Sequence, residues 1–542
     1  MRFLKQIYIT GIVAIAFVGC KSISTVQVPI GTNNGIVITA KKAPLTKIQK
    51  QAWGHADLAI DTIPGMSLDK AYAFLNGKKG VEVVVGVVDS GIDLKHEDLK
   101  ENAWINTNEI PNNGKDDDNN GYVDDINGWN FLGPIYKENA EVYRILRNPK
   151  LVDQTTYQEI KASQDKLVSN AGNTKRQFTQ MLQAVQFADN TIAGHLKNKN
   201  YTKEDVEKIK SEKTDVMQSV NIAKQMYGFG LASLTQGISE VKKEIKKAED
   251  LISGDYLKTD YRKPLGDNAQ DFTTKFYGDN KTGHTKKDEF HGTHVSGTIG
   301  ASRNNGVGMN GVANNVKIMA VRTVPDGDEY DKDVALAIRY AVDNGAKVIN
   351  ASFGKSYSPN KQWVYEAIKY AAEKDVLIVH AAGNDGKNID VESNFPNDSK
   401  GVISDNYISI GAISSNYNEN LPANFSNYGK VNVDIFAPGV QIYSTFPESE
   451  YEFIDGTSMA APSVAGIAAL IRSYYPKLSA SQVKHIIMNS GTKIDLEVIK
   501  PGSQTAGKPN GEIVSFSELS VTGRIVNAYN ALKMADRMMN GK

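Results

Sequence analysis

Three short segments carry the side-chain types that acyl transfer requires. Asp89 ends an apolar run, His291 begins the segment His-Gly-Thr-His, and Ser458 lies within Gly-Thr-Ser-Met-Ala-Ala-Pro. A serine hydroxyl is a poor nucleophile near neutral pH, so it needs an imidazole to accept its proton and a carboxylate to hold the imidazole tautomer. The three segments together predict a hydrolase that forms an acyl-enzyme on a serine.

The order of these residues along the chain, aspartate then histidine then serine, is that of subtilisin. The segments closely resemble the signatures of the subtilase family, and the resemblance runs from roughly Trp53 to Pro134 and from about Gly266 to Leu532. It implies a serine endopeptidase with Asp89, His291 and Ser458 as its catalytic triad.

Two members of this triad have a rival nearby in the sequence. Asp93 lies four residues beyond Asp89, and His294 lies three residues beyond His291, on nearly the same face of a helix that begins there. We expect the catalytic carboxylate at the strand end, which favours Asp89. The family resemblance assigns the base to His291 and leaves His294 as a packed residue behind it.

A fourth residue, Asn384, lies in the segment Ala-Ala-Gly-Asn-Asp-Gly, which follows an apolar strand. The segment resembles the oxyanion loop of the family, and the resemblance implies that the Asn384 amide and the Ser458 backbone N–H bind the oxyanion of the tetrahedral intermediate. Small, apolar residues after Ser458 predict a buried helix with the nucleophile at its N-terminus, where the helix dipole favours negative charge. The alternative for Asn384 is a surface turn.

The family resemblance also implies a cleft that holds the substrate as an extended strand. The residues implied in substrate binding form two walls and part of the oxyanion loop: Gly327, Asp328 and Glu329; Ser352, Phe353 and Gly354; and Ala382 with Gly383. Acidic residues crowd the first wall, and Asp385 lies near the primary pocket. They indicate either a preference for basic substrates or a solvated loop.

An acidic loop predicts a structural calcium ion, because an Asp-x-Asp-x-Asn-Gly spacing directs oxygen ligands toward one centre. The expected ligands are oxygens of Asp116, Asp118, Asn120, Tyr122 (through its carbonyl) and Asp124 or Asp125. The twelfth position of the loop is Asn127 where a calcium hand has Glu, so a helix-flanked hand is not expected. The family resemblance implies a second calcium site at Asp98 and Asn305. The alternative for the loop is a solvated acidic turn.

These residues must be positioned by a parallel sheet. Continuous apolar, β-branched runs predict buried strands that end near Asp89, Ser352 and Asn384, with helical stretches between the runs. In such a fold, reactive groups gather beyond the carboxyl ends of the strands. We therefore expect an α/β fold of the subtilisin-like, doubly wound kind, with a mainly parallel central sheet flanked by helices.

A Lys/Glu/Gln-rich stretch interrupts this pattern and predicts an inserted all-α hairpin or bundle. Two apolar stripes have helical spacing, Phe178 to Ile192 and Leu234 to Ile252, and Thr202 with Asp205 predicts a helix N-cap. The stripes favour packing, and they leave a partner-binding arm or a cover for the active site open.

The N-terminus predicts export. Arg2 and Lys5 precede a short apolar stretch that ends at Cys20, the chain's one cysteine, in a pattern that resembles a bacterial lipobox. We expect a signal peptide at 1–19, a lipid on Cys20, and a protein held in the bacterial cell envelope at the outer membrane. An ordinary signal peptide with a chance cysteine is the alternative.

The expected layout is a tether at 20–50, a peptidase domain at 51–136 and 266–542, and the helical insertion at 137–265. The tether is too short for the prodomain that the family often carries. Lys+Arg and Asp+Glu both number 62, so the net charge is zero and nothing indicates nucleic-acid binding. The main rival to a peptidase is a lipid-anchored scaffold on an inactive fold. A narrower hypothesis is a maturation protease for one partner, presented by the insertion.

Overall fold

The computed structural model describes residues 41, 43–228, 231–399, 401–504, 508 and 510–541. The predicted signal peptide, Cys20 and most of the predicted tether lie outside these residues. The end of that tether differs from the expectation, because residues from Lys47 onward form a helix that Thr46 caps through Gln49. A capping box of this kind satisfies backbone N–H groups that a helix start otherwise leaves without partners.

The strand that ends at Asp89 shows how the sequence builds the sheet. Its side chains alternate between two apolar cores: Val85 and Val87 enter one, while Val84 and Val88 pack into the other. A strand covered on both faces has to be apolar throughout, which explains the continuous valine run. Helices therefore lie on both faces of the sheet.

Thirteen strands occur in the described part of the chain, and nine of them form one sheet in the order β10-β13-β7-β6-β5-β4-β1-β3-β2. All neighbours in this sheet are parallel except β10 and β13. The strands are β1 Val83–Asp89, β2 Gly128–Asn130, β3 Val316–Arg322, β4 Val348–Ala351, β5 Leu377–Ala381, β6 Tyr407–Ile413, β7 Ile435–Pro438, β8 Ile442–Phe446, β9 Glu450–Ile454, β10 Thr492–Lys493, β11 Glu497–Ile499, β12 Ile513–Ser515 and β13 Arg524–Ile525.

The helices α9 and α12 pack with the first core, and α10 and α11 pack with the second. The helices are α1 Lys47–Ala52, α2 Leu58–Asp61, α3 Leu68–Leu75, α4 Glu141–Arg147, α5 Gln154–Leu196, α6 Lys203–Glu207, α7 Thr214–Gly228, α8 Leu234–Ser253, α9 His291–Gly300, α10 Asp331–Asp343, α11 Lys361–Glu373, α12 Thr457–Tyr474, α13 Ala480–Ser490 and α14 Ala528–Asn540. The arrangement confirms the predicted α/β fold with a mainly parallel central sheet.

Helices α4 to α8 occupy the stretch predicted to be helical. Asp153 and Ser233 cap α5 and α8, and Thr202 forms the expected capping box with Asp205. Buried side chains of α5, α7 and α8 share a small apolar core of their own, which contains Val185 and Leu234. No helix in the described part of the chain combines the length and apolar character needed to cross a membrane.

Candidate active site

The Asp89 carboxylate lies at the carboxyl end of β1 and is fully buried. Its Oδ1 accepts a hydrogen bond from the backbone N–H of Ser90 at 2.7 Å and lies 2.7 Å from Nδ1 of His291. His291 is the first residue of α9, 202 positions further along the chain. The fold thus joins two of the predicted catalytic residues directly.

This contact sets the tautomer and the charge of the His291 imidazole. Nδ1 faces a carboxylate, so Nδ1 carries the proton in the neutral ring and Nε2 is the nitrogen able to accept one. Burial disfavours the imidazolium, but the Asp89 charge and hydrogen bond outweigh it, so the pKa of His291 is raised above its ordinary 6.5. Because the side chain keeps 32% of its surface exposed, a substrate can reach it.

Ser458 is the second residue of α12. It contacts the end of β4, the strand that pairs with β1 and therefore lies next to Asp89. Its hydroxyl donates to the carbonyl of Ser352 at 3.2 Å, and the Ser352 hydroxyl donates to the Ser458 carbonyl at 3.0 Å. Ser352 directly follows β4, in which Ala351 pairs with Val88 of β1. Among the hydrogen bonds of the described residues, none joins Ser458 to His291 in this rotamer.

Pro462 explains why the Ser458 carbonyl is available to Ser352. In an α-helix the N–H of residue 462 would donate to the carbonyl of residue 458, but proline has no N–H. Pro462 lies inside α12, so the Ser458 carbonyl has no donor at that position of the helix. The Ser352 hydroxyl supplies one, and this bond holds the backbone at Ser458.

The Asn384 amide is oriented by Thr457. Oδ1 of Asn384 accepts hydrogen bonds from the Thr457 N–H and hydroxyl, both at 2.9 Å, and the Thr457 hydroxyl accepts one from the N–H of Gly383 at 3.1 Å. With its oxygen engaged, the amide keeps its Nδ2 group as the donor. Asn384 and Ser458 line the same cavity, which gives Nδ2 access to a group bound there.

That cavity has a volume of about 380 Å³ and contains much of the predicted cleft. The predicted substrate-binding residues in its lining are Asp328, Phe353, Gly354 and Gly383. Those outside its lining are Gly327, Glu329, Ser352 and Ala382. The carbonyl of Ala382 instead accepts hydrogen bonds from the amides of Asn394 and Asn427, which hold the loop that carries Asn384.

The acidic wall is largely neutralised within the protein. Lys355 contacts Asp331 at 2.8 Å and Arg262 contacts Asp333 at 2.7 Å, and all four side chains are buried. Burial raises the pKa of Glu329 to about 7, although the Lys355 ammonium acts to lower it. Most of the carboxylates that suggested basic substrates are therefore paired within the protein. Asp328 and Asp385 still line the cavity.

The two rival residues lie in supporting positions. His294 is fully buried, and its Nε2 lies 3.1 Å from the carbonyl oxygen of Ile442. Burial lowers its pKa to about 3, so it remains neutral and structural. Asp93 accepts a hydrogen bond from the N–H of Glu448, on a loop remote in sequence.

Sequence reasoning missed a buried ion pair beside Asp89 and His291. Nε of Arg322 donates to Oε1 of Glu289 at 2.6 Å, and the same oxygen accepts a hydrogen bond from the N–H of Gly91 at 2.9 Å. Arg322 ends β3 directly beside Asp89, and Glu289 lies two residues before His291. The sequence did contain one sign of this pair, because Arg322 is a charged residue at the end of an apolar strand and so requires a partner.

In the acidic loop, carboxylates of Glu109, Asp118 and Asp125 converge, with one oxygen of each within 4.8 Å of the others. The amides of Asn106 and Asn120 donate to Asp118 and Asp125. Burial raises the pKa of Asp125 to about 6, and the Asp118 charge acts in the same direction.

The other predicted ligands of this loop have different partners. Asp116 accepts hydrogen bonds from the N–H groups of Asn120 and Gly121, and Asp124 accepts them from those of Asn113 and Gly114. The N–H of Tyr122 donates to Asn120. Glu109, which sequence reasoning missed, completes the cluster from seven residues before the loop. The residues thus fit a hard cation that prefers carboxylate oxygens.

The two residues predicted for a second calcium site also meet. Nδ2 of Asn305 donates to Oδ1 of Asp98 at 2.6 Å, and Oδ2 of Asp98 accepts a hydrogen bond from the N–H of Met309 at 3.1 Å. Asp98 is buried. In this arrangement the Asp98 carboxylate fastens the 305–309 loop.

The model of the Subtilase family matches residues 80–511. Subtilisin DY of Bacillus licheniformis is 38% identical over 206 residues, which are 38% of this chain and 71% of that protein. Thermitase of Thermoactinomyces vulgaris is 40% identical over 205 residues, 38% of this chain and 68% of that protein. A solved structure of proteases from Pseudoalteromonas arctica is 21% identical, with a TM-score of 0.44 and coverage of 90% of this chain and 97% of that one.

The match extends across the segments that carry Asp89, His291, Asn384 and Ser458. The helical insertion lies within the bounds of this match, between the first two of these residues. From the family match and the relatives, the chain belongs to the subtilase family and is a serine-type endopeptidase.

Proposed function

We propose that this endopeptidase cleaves peptide bonds through an acyl-enzyme on Ser458, with His291 as general base and Asp89 as the group that orients it. The observation that carries the proposal is the 2.7 Å contact between the Asp89 carboxylate and Nδ1 of His291. Nε2 is thereby left to accept a proton from the nucleophile. For this step the Ser458 hydroxyl must leave the Ser352 carbonyl, to which it donates at 3.2 Å, and turn toward the imidazole.

In the acylation step, the Ser458 oxygen bonds to the scissile carbonyl carbon as its proton passes to Nε2 of His291. The carbonyl oxygen becomes an oxyanion, which accepts hydrogen bonds from Nδ2 of Asn384 and the N–H of Ser458. The intermediate then breaks its C–N bond, and His291 returns the proton to the leaving amine. Water repeats the sequence at the ester and releases the acid.

The test is labelling with a fluorophosphonate probe, which phosphonylates an activated serine. Wild type should label and cleave casein, and Ser458→Ala should do neither while keeping its thermal midpoint. Ser463→Ala, a change deeper in the same helix, is the matched control and should still label. Failure of folded wild type to label would favour the inactive scaffold.

We further propose that the acidic loop holds a structural calcium ion. Carboxylates of Glu109, Asp118 and Asp125 are its ligands. Asp116 and Asp124, which accept hydrogen bonds from backbone N–H groups, shape the loop around it. Three carboxylates so close together repel one another, and a divalent cation would relieve that repulsion. The ion's role there is to hold the loop.

The proposed location is the bacterial cell envelope, with a lipid on Cys20 as the anchor. Basic Arg2 and Lys5, the short apolar stretch and the lone cysteine support this proposal. Growth with an alkyne fatty acid should label wild type and not Cys20→Ser, and Ser22→Ala is the control. Equal labelling of Cys20→Ser would contradict the anchor.

A further inference from the structure

Asn350 is a polar residue within an otherwise apolar strand. It lies in β4, where it pairs with Val87 of β1 on one side and with Val379 of β5 on the other. The residue is fully buried. Because a strand covered on both faces is normally apolar throughout, an amide at this position needs a polar partner that explains it.

The Asn350 side chain lies on the face of the sheet that packs against the helix of the nucleophile. Successive side chains of a strand point to opposite faces. In β4, Ile349 and Ala351 belong to the second core, whereas Val348 belongs to the first. Asn350 therefore shares the face of Val348, which is the face that α12 covers. Ser458 lies at the start of that helix.

One end of the amide reaches the Ser458 backbone through the Ser352 hydroxyl. Nδ2 of Asn350 donates to Oγ of Ser352 at 2.9 Å, and Oγ of Ser352 donates to the carbonyl of Ser458 at 3.0 Å. A serine hydroxyl has one proton, which rotates to suit its partners. Because the Asn350 amide approaches Oγ as a donor, the hydroxyl proton is directed to the Ser458 carbonyl.

The other end of the amide gains nothing for the stability of the fold. Oδ1 of Asn350 is buried and has no hydrogen-bond partner among the described residues. A buried acceptor in this state destabilises the folded protein, and an apolar side chain at residue 350 would remove that cost. Such atoms are uncommon in folded proteins and call for an explanation other than stability.

We propose that Asn350 is a positioning residue for peptide hydrolysis, which holds the Ser458 backbone in place through the Ser352 hydroxyl. This inference rests on the proposed function, because it takes Ser458 as the nucleophile. The Ser458 hydroxyl oxygen attacks the scissile carbonyl, and the Ser458 N–H is one of the two oxyanion donors. A shift of the backbone at this residue would misplace both groups at once.

The experiment measures thermal midpoint, kcat and KM of Asn350→Val. Valine suits a buried parallel strand, and it removes Nδ2 together with the unpaired Oδ1. We expect a thermal midpoint no lower than that of wild type, a kcat reduced at least about 10-fold, and a KM changed less than about 2-fold.

The matched control is Asn406→Val, the same substitution at another buried asparagine. The Asn406 amide donates to the carbonyl of Val376 at 2.7 Å, and none of its hydrogen bonds to the described residues involves Ser352 or Ser458. This variant should show the opposite pattern, with a lower thermal midpoint, because the Val376 carbonyl loses a donor, and a kcat within about 2-fold of wild type.

A second measurement asks whether Asn350 acts through Ser352. If it does, the double variant Asn350→Val/Ser352→Ala should have the same kcat as Ser352→Ala alone. Losses that multiply in the double variant would refute this route.

The outcomes separate the positioning role from the proposed function. If wild type labels with fluorophosphonate and Asn350→Val keeps its kcat, the positioning role is refuted and the catalytic proposal stands. A lower midpoint or a loss of folding in Asn350→Val would also refute the role, because the amide would then be required by the fold. If folded wild type neither labels nor cleaves, the proposed function is refuted and the positioning role with it.

Discussion

Arg322 and Glu289 form a buried ion pair that links the loop after Asp89 to the segment before His291. Nε of Arg322 lies 2.6 Å from Oε1 of Glu289, and that oxygen also accepts the N–H of Gly91. Gly91 lies two residues after Asp89, and Glu289 lies two residues before His291. One carboxylate therefore sets the separation between the aspartate loop and the start of the histidine helix.

Replacement of either partner should destabilise the protein and slow catalysis. Glu289→Gln leaves a buried guanidinium without its counter-charge, a change that typically costs about 3–5 kcal/mol. We expect a lower thermal midpoint and a kcat reduced by up to about 100-fold, because His291 would shift relative to Asp89. Glu392→Gln breaks an exposed pair with Lys387 and should change stability by less than about 1 kcal/mol. Equal effects of the two variants would contradict this role.

Asp89→Asn should preserve the fold and remove most of the activity. An asparagine amide can donate to Nδ1 and stabilise the wrong imidazole tautomer, an exchange that lowers kcat about 10⁴-fold in serine proteases. Peptide hydrolysis with purified enzyme measures the loss, and circular dichroism checks the fold. Asp93→Asn, at the rival position, should retain kcat within about 3-fold of wild type. The reverse result would move the role to Asp93.

The raised pKa of His291 predicts the acidic limb of the pH profile. The base must be neutral, so kcat/KM should fall as pH drops through a pKa above 6.5. Removal of the carboxylate in Asp89→Asn leaves burial as the main influence, and the limb should then move to lower pH. A raised folded-state pKa also stabilises the fold below pH 6.5, and this contribution disappears as pH rises through the folded pKa. A limb below 6.5 in wild type would contradict the coupling.

The bond between the Ser352 hydroxyl and the Ser458 carbonyl should be energetically coupled to Pro462. Ser352→Ala removes the donor, and a carbonyl left without a partner costs about 1–3 kcal/mol. Pro462→Ala supplies an N–H to the same carbonyl within the helix, so Ser352→Ala should cost less in that background. Urea unfolding of the four members of this double-mutant cycle measures the coupling. Strict additivity would mean that the two residues act independently.

Calcium should raise the thermal midpoint, because an ion that binds the folded state stabilises it over the unfolded state. We expect a chelator to lower the midpoint of wild type, and Asp118→Asn or Asp125→Asn to reduce this shift. Asp117→Asn is the control, because Asp117 bonds to Ile110 and Asn113 and lies outside the carboxylate cluster. If neither chelator nor added calcium changes the thermal midpoint, the loop does not bind a structural calcium ion.

The positions of strands and helices could be predicted from the sequence where they depend on a local pattern of apolar residues. Strand β6 begins and ends where its apolar run does, at Tyr407 and Ile413, because a buried parallel strand must be apolar throughout. Helix α10 begins at Asp331, three residues before its apolar run starts at Val334, because its first turn is charged and buried against Lys355 and Arg262.

What the sequence could not predict are contacts between charges remote in the chain. Lys355 and Glu141 are 214 positions apart, and Glu289 and Arg322 are 33 positions apart. Periodicity carries no information about such pairs. Motif spacing likewise located the acidic loop but not Glu109, which enters the carboxylate cluster from outside the repeat.

Ion pairs join both ends of the insertion to the peptidase domain. These pairs limit which residues can be deleted without damage to the fold. Excision of residues 140–262 would remove Glu141 from Lys355 and Arg262 from the buried Asp333, so a loss of activity could reflect damaged folding. Replacement of residues 154–253 by a short linker would leave both ion pairs in place. A shortened enzyme should therefore lack α5 to α8 and keep α4, whose Glu141 pairs with Lys355 of the peptidase domain.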